Sequence, residues 1–326
     1  MLEGYVSAYE VGFALSSVTR RGNDQHHGMH STGIFGPITS ATAAGKIMGL
    51  TTDELRRAWG VAVSQSAGVT GNFGTHTKPL HAGLASQSGV LAAELASSGF
   101  TSNTSALDAP LGFMYSVVAP SYYDEIDFDN AIKELGENHT STTLGFKKYP
   151  CGYIAQGAIE TAIKLREQTG LNVDDIESLQ VRVPILEDYF QVDPTGDVAG
   201  KFSYKFTVAC ALVDGKVTKW TFSDESFSRK ELTPLLQRFS VEKDPDSGSL
   251  GVLVARVGGK EYSLPIEPAP GHIRNPMSPE ELQNKFLLNA EPVLDNLRSQ
   301  EIVERVMSLE AEDSLTSLMD LLSLRK

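Results

Sequence analysis

Three short segments concentrate the side chains that can move protons or hold anions. The first runs Arg20-Arg21-Gly-Asn-Asp-Gln-His26-His27-Gly-Met-His30. It packs three imidazoles and two guanidiniums into a glycine-containing loop ahead of a stretch of small residues. Imidazole titrates near neutral pH, so a histidine here can give or take a proton. The competing reading is a polar loop whose histidines face solvent. The spacing of His26, His27 and His30 matches no standard zinc pair with carboxylates close by, which makes a metal site a weak reading.

The second segment is Asn72-Phe-Gly74-Thr75-His76-Thr77-Lys78-Pro79-Leu80-His81-Ala-Gly83. Its Gly/Thr loop runs directly into a helix, with Pro79 suited to the first turn. Free amides, the hydroxyls of Thr75 and Thr77 and the Lys78 ammonium at a helix start make a site for a carboxylate. An ordinary capped helix start explains the same residues equally well. No GxxxxGK[ST] run exists, so nucleotide phosphate is a poor fit. The third segment is Lys147-Lys148-Tyr149-Pro150-Cys151-Gly152-Tyr153, where the composition of the chain shifts. A lysine there can point into a cleft between domains. A hinge with solvated lysines is the plainer reading, and Cys151 reads as a small packed residue rather than a nucleophile. Together the segments suit binding of a polycarboxylate and movement of a proton next to a carboxylate, which needs cations for the developing charge and a base near neutrality.

The chain's overall balance agrees with a small anionic ligand rather than a polymeric one. Its 326 residues carry 28 Lys+Arg against 41 Asp+Glu, a formal charge of -13. That argues against nucleic acid and anionic membrane surfaces as main partners. Two cysteines, Cys151 and Cys210, build neither a disulfide framework nor a thiolate cage, in keeping with an intracellular location. No apolar run is long enough for a membrane span, and the first residues do not read as a signal peptide.

The elements that must position these segments are mostly helical in the first part. Residues 3–18 show apolar residues at helical spacing, and 34–49 are rich in Ala, Gly and Ser, which lets helices approach closely. Thr51-Thr52-Asp53-Glu54 is a helix-start signal for a helix to about Ser66. Residues 80–98 form an Ala-rich helix closed by Gly99. Beyond about residue 145 strands join in. Residues 154–169 are predicted as a helix ending at Gly170, and 177–185 alternate as a strand. Residues 206–215 are an apolar segment, helical or a buried strand. VTKWTF (217–222) reads as a strand, and 250–266 as two strands around a Gly258-Gly259 hairpin. From Pro276 the pattern is helical again, with Ser278 as a cap and leucines at helical spacing over 291–324. The expected domains are a helical one over 1–142, an α+β one over 143–272, and C-terminal helices over 273–326 that return to the helical domain.

Several runs resemble the MmgE/PrpD family, which includes 2-methylcitrate dehydratase and cis-aconitate decarboxylase. They are GMHSTGIFG around His30, GLTTDEL, SQSAGVTGNFGTHTKPLHAG, KKYPCG, KFS at Lys201–Ser203, ALVDGK and NPMSPEEL. They stand in family order over nearly the whole chain, and the NFGTxTKPLHAG run is highly specific. The resemblance implies a mainly α fold: a large all-helical domain with a smaller α+β lid domain inserted, usually as a homodimer, with the active site in the cleft between domains. It implies a lyase, a dehydratase or decarboxylase acting on a citrate-like, alkylcitrate-like or aconitate-like acid without metal or organic cofactor. By motif match His30, Lys78 and Lys147 take the catalytic positions. Thr75, Thr77, His81, Lys201 and Ser203 are expected to contact substrate.

Two departures qualify the match. Family members carry a further N-terminal stretch whose acidic loop, ending in His, supplies an active-site Asp and His, and this sequence does not contain it. Many members also place a His just after the YP dipeptide, where Gly152 and Gln156 stand here. A truncated or partner-dependent chain, with apolar surface left uncovered on the helical domain, is therefore an alternative expectation. An isomerase or epimerase of a related dicarboxylate is another, since it uses the same proton abstraction. Compartment, cytoplasmic or mitochondrial, is not resolved by these residues.

Overall fold

The structure is a computed structural model that describes residues 1–19, 28–118, 120–133, 135–137, 139–187, 190 and 196–323. The chain divides into two units, Met1–Leu144 and Gly145–Lys326. Among the described residues the fold is mainly helical, with one four-stranded sheet. No helix among them is long and apolar enough to cross a membrane.

The first unit contains α1 (Leu2–Thr19), α2 (Ser31–Met48), α3 (Thr52–Val63) and α4 (Thr77–Ser97). The short helices α5 (Phe113–Val117), α6 (Pro120–Tyr123) and α7 (Phe128–Lys133) follow. Helix α3 starts where the sequence signal places it. The Thr51 hydroxyl accepts from the Glu54 amide while the Glu54 carboxylate accepts from the Thr51 amide, a reciprocal cap. Helix α2 is the buried centre, with Ile34 and Ile38 fully enclosed. It packs on α1, α3 and α4. Its contact with α4 is nearly without side chains. A Cβ on Gly89 of α4 would lie 2.3 Å from Ser40 Cβ and 2.6 Å from the Pro37 carbonyl oxygen, and one on Gly36 of α2 would lie 2.6 Å from Ala85 Cβ. Glu10 of α1 is buried; burial alone would raise its pKa, but hydrogen bonds from Ser141 and Thr140 outweigh that and hold it low. Its carboxylate thereby anchors the 140–143 turn. Tyr5 and Phe13 of α1 are exposed and border, with Tyr9, Gly12, Gly36 and Thr39, a groove of about 630 Å³.

The second unit contains α8 (Gln156–Thr169), β1 (Ile176–Val183), α9 (Asp197–Gly200), α10 (Tyr204–Asp214), α11 (Asp224–Phe227) and α12 (Leu232–Gln237). The strands β2 (Phe239–Lys243), β3 (Val252–Val257) and β4 (Lys260–Pro265) complete the sheet. Strand order is β2-β1-β3-β4, with β1 and β2 parallel and the other pairs antiparallel. Leu179 stands opposite Phe239 on one side and Ala255 on the other. Gly258 and Gly259, both at positive φ, turn β3 into β4. The apolar segment left open between helix and strand is the helix α10. It is buried on nearly every side, from Phe206 to Leu212, and packs with α8, α12 and β2. Its length and the left-handed Gly215 cap decide the matter. Helices α13 (Pro279–Ala290), α14 (Asn296–Met307) and α15 (Thr316–Leu322) follow in the same unit. Ser278 and Glu281 cap α13 reciprocally, and the Lys219 amide donates to Asn289 at 3.1 Å.

One strand expectation fails. VTKWTF is not a strand: Lys219–Phe222 form a turn of 3₁₀ helix. The Thr218 hydroxyl accepts from the Trp220 amide and the Thr218 amide donates to Thr221, so local side-chain bonds displace a ladder. The strand β2, in contrast, gives no sequence signal. It is five residues at the sheet edge, with only Phe239 buried.

Two glycines of α4 test the close crossing. Gly89→Val should cost about 3 kcal/mol in urea unfolding through overpacking. Gly83→Ala, whose Cβ meets nothing within 4 Å, should stabilise by about 1 kcal/mol through helix propensity. Equal effects at the two positions would contradict the crossing.

Candidate functional site

In the first unit, two sequence-predicted residues meet directly. His30 is the N-cap residue of α2, its extended backbone fixed by its amide on the Gly68 carbonyl at 3.0 Å. Its carbonyl accepts from Gly33 and Ile34, starting the helix. His81 lies in the second turn of α4 and is buried. The Nδ1 atoms of His30 and His81 are 3.0 Å apart. Such a bond needs one ring to donate and the other to accept, so at least one imidazole is uncharged. Gly68 packs against the His81 ring, where an added Cβ would come within 3.1 Å.

The surroundings explain the protonation of His30. Burial, then the Lys78 charge, then His81 push its pKa down from 6.5 to about 4. It is therefore neutral at physiological pH. Phe73 and His30 form a T-shaped pair with ring centres 4.9 Å apart, and the Lys78 ammonium stands 5.7 Å from the Phe73 ring centre. The aromatic ring thus links the two polar groups, a role that nothing in its sequence position signals. The Thr75 hydroxyl donates to the Asn72 carbonyl at 2.7 Å and accepts from the Thr77 amide at 3.3 Å, while the Thr75 carbonyl accepts from the Lys78 amide. The amides of Thr77 and Lys78 are thus engaged within the loop, and Lys78 carries the positive charge there. Thr77 is half-buried in the first turn. Arg20, Arg21, His26 and His27 lie outside the described residues, and with them the weak zinc reading. Among the described residues no three His, Cys, Asp or Glu side chains converge as a metal site.

In the second unit, the structure separates two adjacent lysines. The Lys148 ammonium is bound to Glu160 at 3.0 Å, whereas Lys147 is exposed and forms no ion pair among the described residues. Tyr149 also donates to Glu160, at 2.5 Å; burial first, and then the Glu160 charge, push its pKa far up. Burial pushes the Cys151 thiol up to about 12, against the pull of Lys147 and Lys201. Cys151 is therefore a packed thiol, as expected from its type. The carbonyl of Lys201 accepts from the Gly152 amide at 2.7 Å, and its ammonium lies 5.7 Å from the Phe222 ring centre. Ser203 is buried and its hydroxyl caps α10 by accepting from the Phe206 amide. A Cβ at residue 152 would lie 2.2 Å from the Phe190 ring, so no side chain fits there. Beside this loop a cavity of about 210 Å³ is lined by Phe146, Tyr153, Gln156, Tyr204 and His272 among others.

Comparison with known proteins now places the chain. The family model of the MmgE/PrpD N-terminal domain matches residues 1–125, and that of the MmgE/PrpD C-terminal domain matches residues 149–310. The chain belongs to the MmgE/PrpD family. Its relatives include the cis-aconitate decarboxylases of Homo sapiens, 27% identical over 96% of this chain, and of Mus musculus, 28% identical over 95%. The chain spans 66% of the length of each. The cis-aconitate decarboxylase of Aspergillus terreus is 26% identical over 98% of this chain and 69% of its own length.

The low His30 value has a thermodynamic consequence. Between about pH 6.5 and about 4 the unfolded chain takes up a proton that folded His30 refuses. His30 therefore costs no stability above that window and progressively more as pH falls through it. The melting temperature of the wild-type chain should drop more between pH 7 and pH 4.5 than that of His30→Asn. Parallel curves would contradict a neutral His30.

Proposed function

We propose that this chain carries the chemistry of a cofactor-independent lyase that removes carbon dioxide from an aconitate-like polycarboxylate. The observation that supports it is the His30–His81 imidazole pair with Lys78 beside it. Its relatives named cis-aconitate decarboxylase give the substrate class.

Loss of a carboxylate as carbon dioxide leaves the electron pair of the broken C–C bond on the carbon skeleton. A proton must then be delivered to carbon. Lys78 holds a carboxylate and offsets its charge beside His30, which exchanges the proton, and Lys147 of the second unit is proposed as a further carboxylate-holding lysine. An empty site keeps His30 neutral, because a charged ring there is dehydrated and faces Lys78. A bound carboxylate reverses the local charge and favours the imidazolium. Protonated His30 then uses Nδ1–H to donate to His81, and Nε2–H remains for the substrate. His81 fixes the ring in this reading rather than touching the leaving group. The deprotonated ring recovers its proton from water, so turnover needs no redox partner. Dehydration of a citrate-like acid would use the same proton exchange. A homodimer is the assembly we propose for the active protein.

Proton NMR of the full chain with cis-aconitate, citrate and 2-methylcitrate tests the reading. New vinyl signals from cis-aconitate with release of carbon dioxide are expected. His30→Asn should then lower kcat about 100-fold or more, the scale of a lost general acid. Lys78→Ala should act mainly on KM. A folded protein that leaves all three acids unchanged would defeat autonomous lyase activity.

A further inference from the structure

Within the loop that carries Lys147 the Cys151 amide donates to the Tyr149 carbonyl at 2.8 Å. Two side chains of α8, Glu160 and Gln156, also hold it. Gln156 is buried, and its carboxamide folds back over the loop. Its Oε1 accepts from the Tyr149 amide at 2.9 Å, and its Nε2 donates to the Tyr149 carbonyl at 2.9 Å. The same Nε2 lies 3.3 Å from Cys151 Sγ and 3.4 Å from the Gly152 carbonyl. The amide and the carbonyl of one residue, Tyr149, are thus both engaged by one carboxamide, as a ladder partner would engage them.

The loop so held is tied to a second one. The Gly152 amide donates to the Lys201 carbonyl at 2.7 Å, which the absent side chain at residue 152 permits. The charges of Lys147 and Lys201 both act on the Cys151 thiol. Neither forms an ion pair with a carboxylate among the described residues, whereas Lys148 is bound to Glu160. Two cations on loops joined by the Gly152–Lys201 backbone bond attract an anion with more than one charged oxygen.

We propose that Gln156 is a positioning residue that fixes the 147–152 loop so that Lys147 and Lys201 form one two-lysine subsite for a carboxylate group. This rests on the polycarboxylate reading above and goes further by naming the side chain that sets Lys147 and by joining that lysine to Lys201, which its motif already marks as a substrate contact.

Acetylation by acetic anhydride, read by mass spectrometry, tests it on the full chain with citrate as probe. Citrate should slow modification of Lys147 and Lys201 with one shared half-saturation and leave Lys148, held by Glu160, unaffected. Gln156→Leu should lose this joint protection, raise KM for cis-aconitate about 10-fold, as small misplacements of a binding group do, and lower kcat less than threefold. Protection of only one lysine, of neither, or unchanged joint protection in folded Gln156→Leu overturns the proposal. Hydrogen exchange in the wild-type chain gives a test independent of the variant's folding. The Tyr149 amide should exchange slowly, and rapid exchange overturns the positioning role. Turnover is scored separately: turnover without joint protection defeats this inference and leaves the lyase reading standing, and joint protection without turnover does the reverse.

Discussion

The close crossing of α2 and α4 is the constraint on which the first unit depends. Gly36 and Gly89 carry no Cβ where Ala85 and Ser40 of the facing helix meet them, so the two backbones come close. Because α2 begins at His30 and α4 carries His81 in its second turn, that approach forces two imidazoles to a 3.0 Å contact. Two charged rings cannot occupy such a place. One must carry the bridging proton and the other must accept it, and burial beside Lys78 settles the neutral state of His30. The packing of small residues thus decides a protonation state, and the protonation state decides what chemistry the pair can do.

The second unit solves a different problem, which is how to aim a lysine from a loop. Surface lysines are long and rotamer-rich, so a useful cation needs a fixed stem. Here Glu160 engages Lys148 and Tyr149, and Gln156 fixes the peptide between them. Among the described residues Lys147 forms no ion pair. Phe190 occupies the space beside Gly152, which accounts for glycine at that position.

Much of the fold was legible in the sequence, for identifiable reasons. The caps at Thr51 and Ser278 show because Ser/Thr followed three residues later by Glu is a reciprocal bond written locally. Gly170, Gly215 and the Gly258-Gly259 turn show because only left-handed backbone requires them. VTKWTF misled because its β-branched residues have strand propensity while Thr218 and Thr221 satisfy the backbone locally. The edge strand β2 is too short to alternate. Among the candidate site residues, His30, Lys78 and Lys147 are singled out by residue type and motif. The pairing of His30 with His81 across 51 positions was not, nor was the sorting of Lys147 from Lys148, because both depend on tertiary neighbours. Gln156 looked like a vacancy left by a missing histidine, and its four contacts emerge only from the fold.

The most direct test of this account is a long-range ¹H–¹⁵N NMR spectrum of histidine-labelled protein at pH 7, assigned with His30→Asn and His81→Asn. The account predicts that His30 is uncharged, with one of the two facing Nδ1 atoms protonated and the other carrying a lone pair. Two imidazolium rings, or two rings both protonated only at Nε2, would contradict it.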